Sequence, residues 1–112
     1  MDNRKDLINA YKQRKITGGV FKVTNTTSGR YLLDSAADIQ ARQNAFNFSV
    51  TTNNPFDYKM RKDWQESGAA AFTFEVLDTL EKKESQSQEQ FIEDLKMLEG
   101  IWVEKLGGMG RY

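Results

Sequence analysis

The sharpest pattern in the chain lies at residues 72–77, where Phe72, Phe74 and Val76 alternate with Thr73 and Glu75. A period of two places the three apolar side chains on one face and predicts a strand. Two further β-prone runs, residues 19–25 and 30–34, flank a Thr-Thr-Ser-Gly turn and predict a β-hairpin. Elsewhere apolar positions recur at helical spacing. Leu7, Ile8 and Tyr11 mark a first helix to about residue 15, capped by Asp2 or Asn3 and broken by Gly18 and Gly19. Ile39, Arg42, Gln43 and Phe46 mark a second, with Ser35 and Asp38 as a loose capping box. Turn chemistry follows at residues 51–55. Phe56, Met60 and Trp64 then mark a third helix over residues 55–67, with Asn54 as cap, Pro55 in its first turn and Gly68 at its end. Phe91, Leu95, Leu98 and Trp102 mark the longest helix, which Gly107 and Gly108 end. A charged Ser/Gln-rich connector precedes it, and residues 109–112 are expected to fray.

The predicted order is therefore α-β-β-α-α-β-α. It describes an α/β chain of the α+β type, a small three-stranded antiparallel sheet flanked by helices. Residues 1–17 are read as an N-terminal helix packed on the domain, residues 18–106 as the domain itself, and residues 107–112 as a tail.

Composition narrows the function classes. A length of 112 residues suits a single domain, and 38% hydrophobic residues with seven Phe, four Tyr and two Trp can build one modest core. No apolar run approaches the ~20 residues of a membrane span, and no secretory apolar region follows Met1. The absence of cysteine removes disulfides and thiolate metal sites, so the expected setting is cytoplasmic. Sixteen basic residues balance sixteen acidic ones, leaving no global field to attract a polyanion. The charges are unevenly placed. Arg4, Lys5, Lys12, Arg14 and Lys15 cluster early, and acidic residues crowd the last third. There is no histidine, which removes the commonest general base and imidazole metal ligand together. Any chemistry must run on carboxylates, Tyr, Lys or Ser.

The residues also carry a resemblance. Gly19-Val20-Phe21 is followed by Lys22-Val23-Thr24-Asn25 and, after the turn with Gly29, by Leu32-Leu33-Asp34. Ser35, Asp38, Ile39 and Arg42 come next, then Lys62-Asp63-Trp64 with Gly68, the strand at residues 72–77, and Glu99 three residues before Trp102. This order and spacing, from about residue 18 to 106, resembles the GIY-YIG nuclease domain. The resemblance implies Gly-Ile-Tyr at residues 19–21 and Tyr-Ile-Gly at residues 32–34. It also implies an Arg at Arg42 that stabilises the developing charge on phosphate, and a metal-binding carboxylate at Glu99. The departures fall on the chemistry. Phe21 has the ring without the hydroxyl, Leu32 offers nothing polar, and Asp34 puts a charge where the family has Gly. Tyr31 sits one place before Leu32, so it can replace it only through a bulge or register slip. The family's late Asn has no convincing match in residues 107–112.

Arg42 and Glu99 keep the family's residue types. Glu99 shares the apolar face of its helix and needs a partner, for which Arg42 is the candidate. One reading of the two is a metal ligand beside a phosphate clamp; the other is a self-satisfied ion pair. The leading expectation is a catalytically degenerate GIY-YIG-like domain serving as a small binding or accessory module, with no cofactor. The rival is an active endonuclease that uses Mg²⁺ or Mn²⁺ with Glu99 and Arg42, and either a displaced Tyr31 or metal-bound water alone. A third reading is an interaction domain that self-associates through its first helix. Aromatics interleaved with cations at Tyr58, Lys59, Arg61, Lys62 and Trp64 suit single-stranded nucleic acid, and helical packing with a charged outer face explains them equally well.

Overall fold

The computed structural model describes residues 16–112. The helix expected over residues 1–15, with its apolar stripe and basic cluster, lies outside the described residues.

Strands β1 (Thr17–Asn25), β2 (Tyr31–Ala36) and β3 (Phe72–Glu81) form one antiparallel sheet in the order β2-β1-β3. Helices α1 (Ile39–Thr52) and α2 (Arg61–Ser67) lie between β2 and β3, and α3 (Gln88–Leu106) follows β3. Short 3₁₀ turns, Tyr58–Met60 and Ala69–Ala71, flank α2. The described order, β-β-α-α-β-α, is the one the hydrophobic pattern predicts. The β1–β2 turn closes through the Asn25 N–H on the Arg30 carbonyl and the Gly29 N–H on the Asn25 carbonyl. Asn25 Oδ1 accepts from the Thr27 N–H at 3.0 Å, and Gly29 takes a φ of 79° that a side chain would resist.

β1 is the middle strand and is covered on both faces. Phe21 and Val23 point with Leu32 toward α1 and α2, where Phe46, Met60 and Trp64 complete the larger core. Val20 points the other way with Tyr31 and Leu33, and Leu98, Trp102, Val103 and Leu106 of α3 close that side. Helices thus sandwich the sheet, and adjacent residues on β1 belong to different cores.

Several boundaries differ from the sequence reading, each for a local reason. α1 is capped by Asp38 alone, whose Oδ1 accepts from the Ala41 N–H at 3.1 Å, while Ser35 is part of β2. α1 also runs through Thr51 and Thr52, whose hydroxyls donate back to the Asn47 and Phe48 carbonyls within the helix. Asn53, at a φ of 55°, is the stop. The next helix starts at Arg61 instead of Pro55, because Asp57 is extended and caps the 3₁₀ turn through the Lys59 N–H. Met60 and Trp64 still reach the core, since a spacing of four serves either arrangement. β3 continues past Leu77 through a bulge: Phe21 pairs with Val76 but Val20 pairs with Asp78. Leu77 is the extra residue, and it breaks the alternation that marks the strand's first half. α3 begins with a reciprocal capping box, Ser87 with Gln90.

The largest departure is the tail, which does not fray. The Tyr31 N–H donates to the Gly110 carbonyl at 2.9 Å, and the Tyr112 N–H donates to the Tyr31 carbonyl at 2.8 Å. Residues 110–112 therefore pair with the outer edge of β2 and satisfy backbone groups that an edge strand leaves open. Gly107, Gly108 and Gly110, all at positive φ, let the chain turn back after α3.

Two glycines give opposite expectations. A Cβ on Gly19 would lie 2.4 Å from the Asp78 carbonyl oxygen at the bulge, so backbone has to move. Gly19→Ala is expected to destabilise by about 1–3 kcal/mol, as overpacking does. Gly100 lies within α3 with nothing within 4 Å of such a Cβ, and Gly100→Ala is expected to stabilise by roughly 0.5–1 kcal/mol. Urea midpoints of the two variants against the parent check both signs.

Candidate active site

The pairing of β1 with β2 decides where each motif residue points. Phe21 faces Asp34 and Val23 faces Leu32 in an unbroken register, so Phe21 and Leu32 share the face covered by α1 and α2. Phe21 has no solvent exposure. Its ring stacks on Phe74 at 5.0 Å and meets the edge of Phe56 at 6.1 Å. Arg42, from the second turn of α1, lays its guanidinium over Phe56 at 4.5 Å and over Phe21 at 5.6 Å. Gly19 sits beside the bulge, held small by the Asp78 backbone.

Tyr31 does not take the place of Leu32. It pairs opposite Thr24 in the same register and faces the α3 side, buried with Val20 and Leu33. Its hydroxyl has no hydrogen-bond partner among the described residues, and Lys22 Nζ lies 5.7 Å from the ring centre. The sheet separates it from Arg42.

Glu99 also lies on the α3 side. Its Oε1 accepts from the Ser35 hydroxyl at 3.0 Å and lies 3.5 Å from Lys96 Nζ; its Oε2 lies 4.0 Å from Arg111 Nη2. Arg111 Nη2 also donates to the Leu33 carbonyl at 3.1 Å, which anchors that cation on the sheet edge. Asp34 accepts from the Ser35 N–H through Oδ1, and the same oxygen lies 3.7 Å from Lys96 Nζ. The expected pairing of Arg42 with Glu99 is therefore not formed. Their helices approach opposite faces of the sheet, and each finds other company: aromatic rings for Arg42, Ser35 and two cations for Glu99. A divalent metal at Glu99 would have to displace Lys96 and Arg111, which already hold its carboxylate. Among the described residues no three His, Cys, Asp or Glu side chains gather to hold a metal ion.

Sequence reasoning missed the partners at this site. Lys96 was legible in principle, as it lies three residues before Glu99 on one helix. Arg111 and the Ser35 hydroxyl were not, because one depends on the returning tail and the other on β2 register. The Gly-rich run before Arg111 is the tail's return path. The basic–aromatic constellation also divides. Trp64 is core, stacked on Phe72 at 4.5 Å, whereas Tyr58 is 81% exposed. Lys59, Arg61 and Lys62 are exposed as well, and none has a carboxylate partner among the described residues.

A second polar network sits at the hairpin end. Asn25 is buried and its Nδ2 donates to the Tyr112 hydroxyl at 3.4 Å; that hydroxyl donates to Asp63 Oδ2 at 2.6 Å. Arg30 lies 3.5 Å from Asp63 and stacks on the Tyr112 ring at 4.4 Å. The tail, turn and α2 are joined at this point. Burial, followed by the hydrogen bond to Asp63, raises the Tyr112 pKa above 10.0; the hydrogen bond from Asn25 opposes them, and the charges of Asp63 and Arg30 act in opposite directions.

No family model and no curated protein matches this chain. Solved structures do. The catalytic domain of the homing endonuclease I-TevI superposes with a TM-score of 0.59 at 13% identity, covering 84% of this chain and 96% of that one. A glutamate-to-alanine mutant of the catalytic domain of the intron endonuclease I-TevI gives a TM-score of 0.61 at 14% identity, covering 87% and 92%. This chain has a GIY-YIG-like fold. No helix among the described residues is long and apolar enough to cross a membrane.

The raised Tyr112 pKa sets a sign for stability against pH. The folded state holds the phenol proton more tightly than the unfolded chain. The contribution is therefore complete below pH 10 and is lost as pH rises through the folded pKa. The parent is expected to exceed Tyr112→Phe by about 1 kcal/mol near pH 8, the scale of one hydrogen bond. The gap is expected to close above pH 10. Denaturant midpoints of both proteins between pH 8 and 11 check this, since other titrations cancel in the difference.

Proposed function

We propose that this GIY-YIG-like fold is catalytically degenerate and serves as a small binding or accessory module. The observation that carries the reading is the state of the two motif positions. Phe21 and Leu32 are carbon-only side chains sealed within the larger core, with Arg42 laid across the aromatic rings above Phe21. Neither can take or relay a proton from water, and both are buried. Tyr31, the one phenol nearby in sequence, is buried on the far side of the sheet. Glu99, also on the far side, is already engaged by Ser35, Lys96 and Arg111. An endonuclease mechanism needs a nucleophile activator, a phosphate clamp and a metal in one place. Here those positions are split between two layers.

In this reading the surface available to a ligand is the outer side of the Tyr58–Met60 turn and α2. Tyr58 presents an exposed ring there beside Lys59, Arg61 and Lys62, the combination that stacks on a base while meeting phosphate.

Three outcomes are expected. Incubation with Mg²⁺ or Mn²⁺ and single- or double-stranded DNA or RNA gives no cleavage; turnover abolished in both Arg42→Ala and Glu99→Ala would overturn the reading. Phe21→Tyr does not confer cleavage and destabilises by about 1–3 kcal/mol in urea, the cost of an unsatisfied buried hydroxyl. Fluorescence anisotropy with a short labelled oligothymidine at low salt shows binding that weakens about tenfold in K59A/R61A/K62A and in Tyr58→Ala. Unchanged affinity in those variants would remove this surface from the proposal.

A further inference from the structure

Lys96 stands on the outward side of α3, 59% exposed, yet its ammonium faces two carboxylates from different elements. Nζ lies 3.5 Å from Glu99 Oε1 on its own helix and 3.7 Å from Asp34 Oδ1 on β2. The Ser35 hydroxyl completes the cluster on Glu99 Oε1, and Arg111 Nη2 approaches the other Glu99 oxygen. Two carboxylates converging on one cation offer oxygen donors of the kind that divalent ions use, usually with water filling the remaining positions. In this chain a tethered ammonium is at the convergence point.

We propose that Lys96 is the resident cation of this cluster, its ammonium taking the place that a divalent ion would otherwise hold between Asp34 and Glu99. The proposal rests on the GIY-YIG-like reading of the site only for the expectation that Glu99 is the metal position. Tethering is the physical basis. Lys96 is three residues from Glu99 on a rigid helix, so its charge is present at high effective concentration and cannot diffuse away. A divalent ion entering the cluster has to shed water and also displace a cation that never leaves. Lys96 and Arg111 balance Asp34 and Glu99, so no surplus negative charge remains to offset that cost. Asp34, which adds a negative charge where the GIY-YIG pattern has glycine, is thereby matched inside the same cluster. The arrangement joins β2 to α3 without any dissolved ion.

The test uses Mn²⁺ alone as probe, with the loss of its free electron paramagnetic resonance signal as readout. The whole chain is titrated as the parent, as Lys96→Met, and as K96M/E99Q and K96M/D34N. Circular dichroism verifies that each variant is folded, and Lys96→Gln provides a polar alternative at the same exposed position. Lys96→Met or Lys96→Gln is expected to bind Mn²⁺ about tenfold more tightly than the parent, the scale of removing one unit charge about 4 Å from a partly exposed site. The gain is expected to vanish in both double variants. A parent that binds Mn²⁺ as tightly as the folded Lys96 variants overturns the proposal. So does a folded Lys96→Met and Lys96→Gln pair with no gain, or a gain that survives Glu99→Gln. Cleavage is a separate measurement. A Lys96→Met protein that binds Mn²⁺ without cutting supports the resident cation and leaves the proposed function standing, while a parent that cuts overturns that function whatever the titration shows.

Discussion

A sheet three strands wide has one strand with no free edge, and the double pairing of β1 is the constraint on which the rest of this structure depends. Its backbone is fixed by β2 on one side and β3 on the other, so its side chains have only two directions to go. Val20 is committed to α3, and Phe21 and Val23 to α1 and α2. Once that division is set, β2 inherits it through register: Leu32 joins Phe21, and Tyr31 and Leu33 join Val20. A single step along either strand changes the layer in which a side chain acts.

The chemistry of the site follows from the same partition. Tyr31 and Leu32 are neighbours in sequence but belong to different cores. The cation at Arg42 is spent on Phe56 and Phe21, and the carboxylate at Glu99 on Ser35, Lys96 and Arg111. Both groups are well accommodated, and neither depends on the other. Charged side chains near a core settle with whatever complementary surface their own layer provides.

Much of this was legible in the sequence where a regular repeat lasted long enough to read. Phe72, Phe74 and Val76 announced β3, and Phe91, Leu95, Leu98 and Trp102 announced α3, because a strand face and a helix face each impose their own period. The features that escaped are those made by contacts between distant segments. The bulge at Leu77 depends on β1 lying alongside it. The seat of Arg42 depends on Phe56, delivered by a turn that Asp57 caps instead of Asn54. The docked tail depends on an unpaired β2 edge and on a hydroxyl at Tyr112 that finds Asp63 and Asn25. Polar residues and glycines at a chain's end read as loose when counted alone; here the edge of a sheet gives them partners.

Gly19 has a meaning beyond packing. Its missing side chain makes room for the carbonyl of Asp78, which the bulge in β3 pushes toward it. The shape of a neighbouring backbone thus calls for glycine at that position. Substitutions at residue 19 and changes in the length of β3 near Leu77 form one epistatic unit, in which neither drifts freely while the other stays. Glycine at residue 19 is therefore called for by the sheet itself, whatever the chain does.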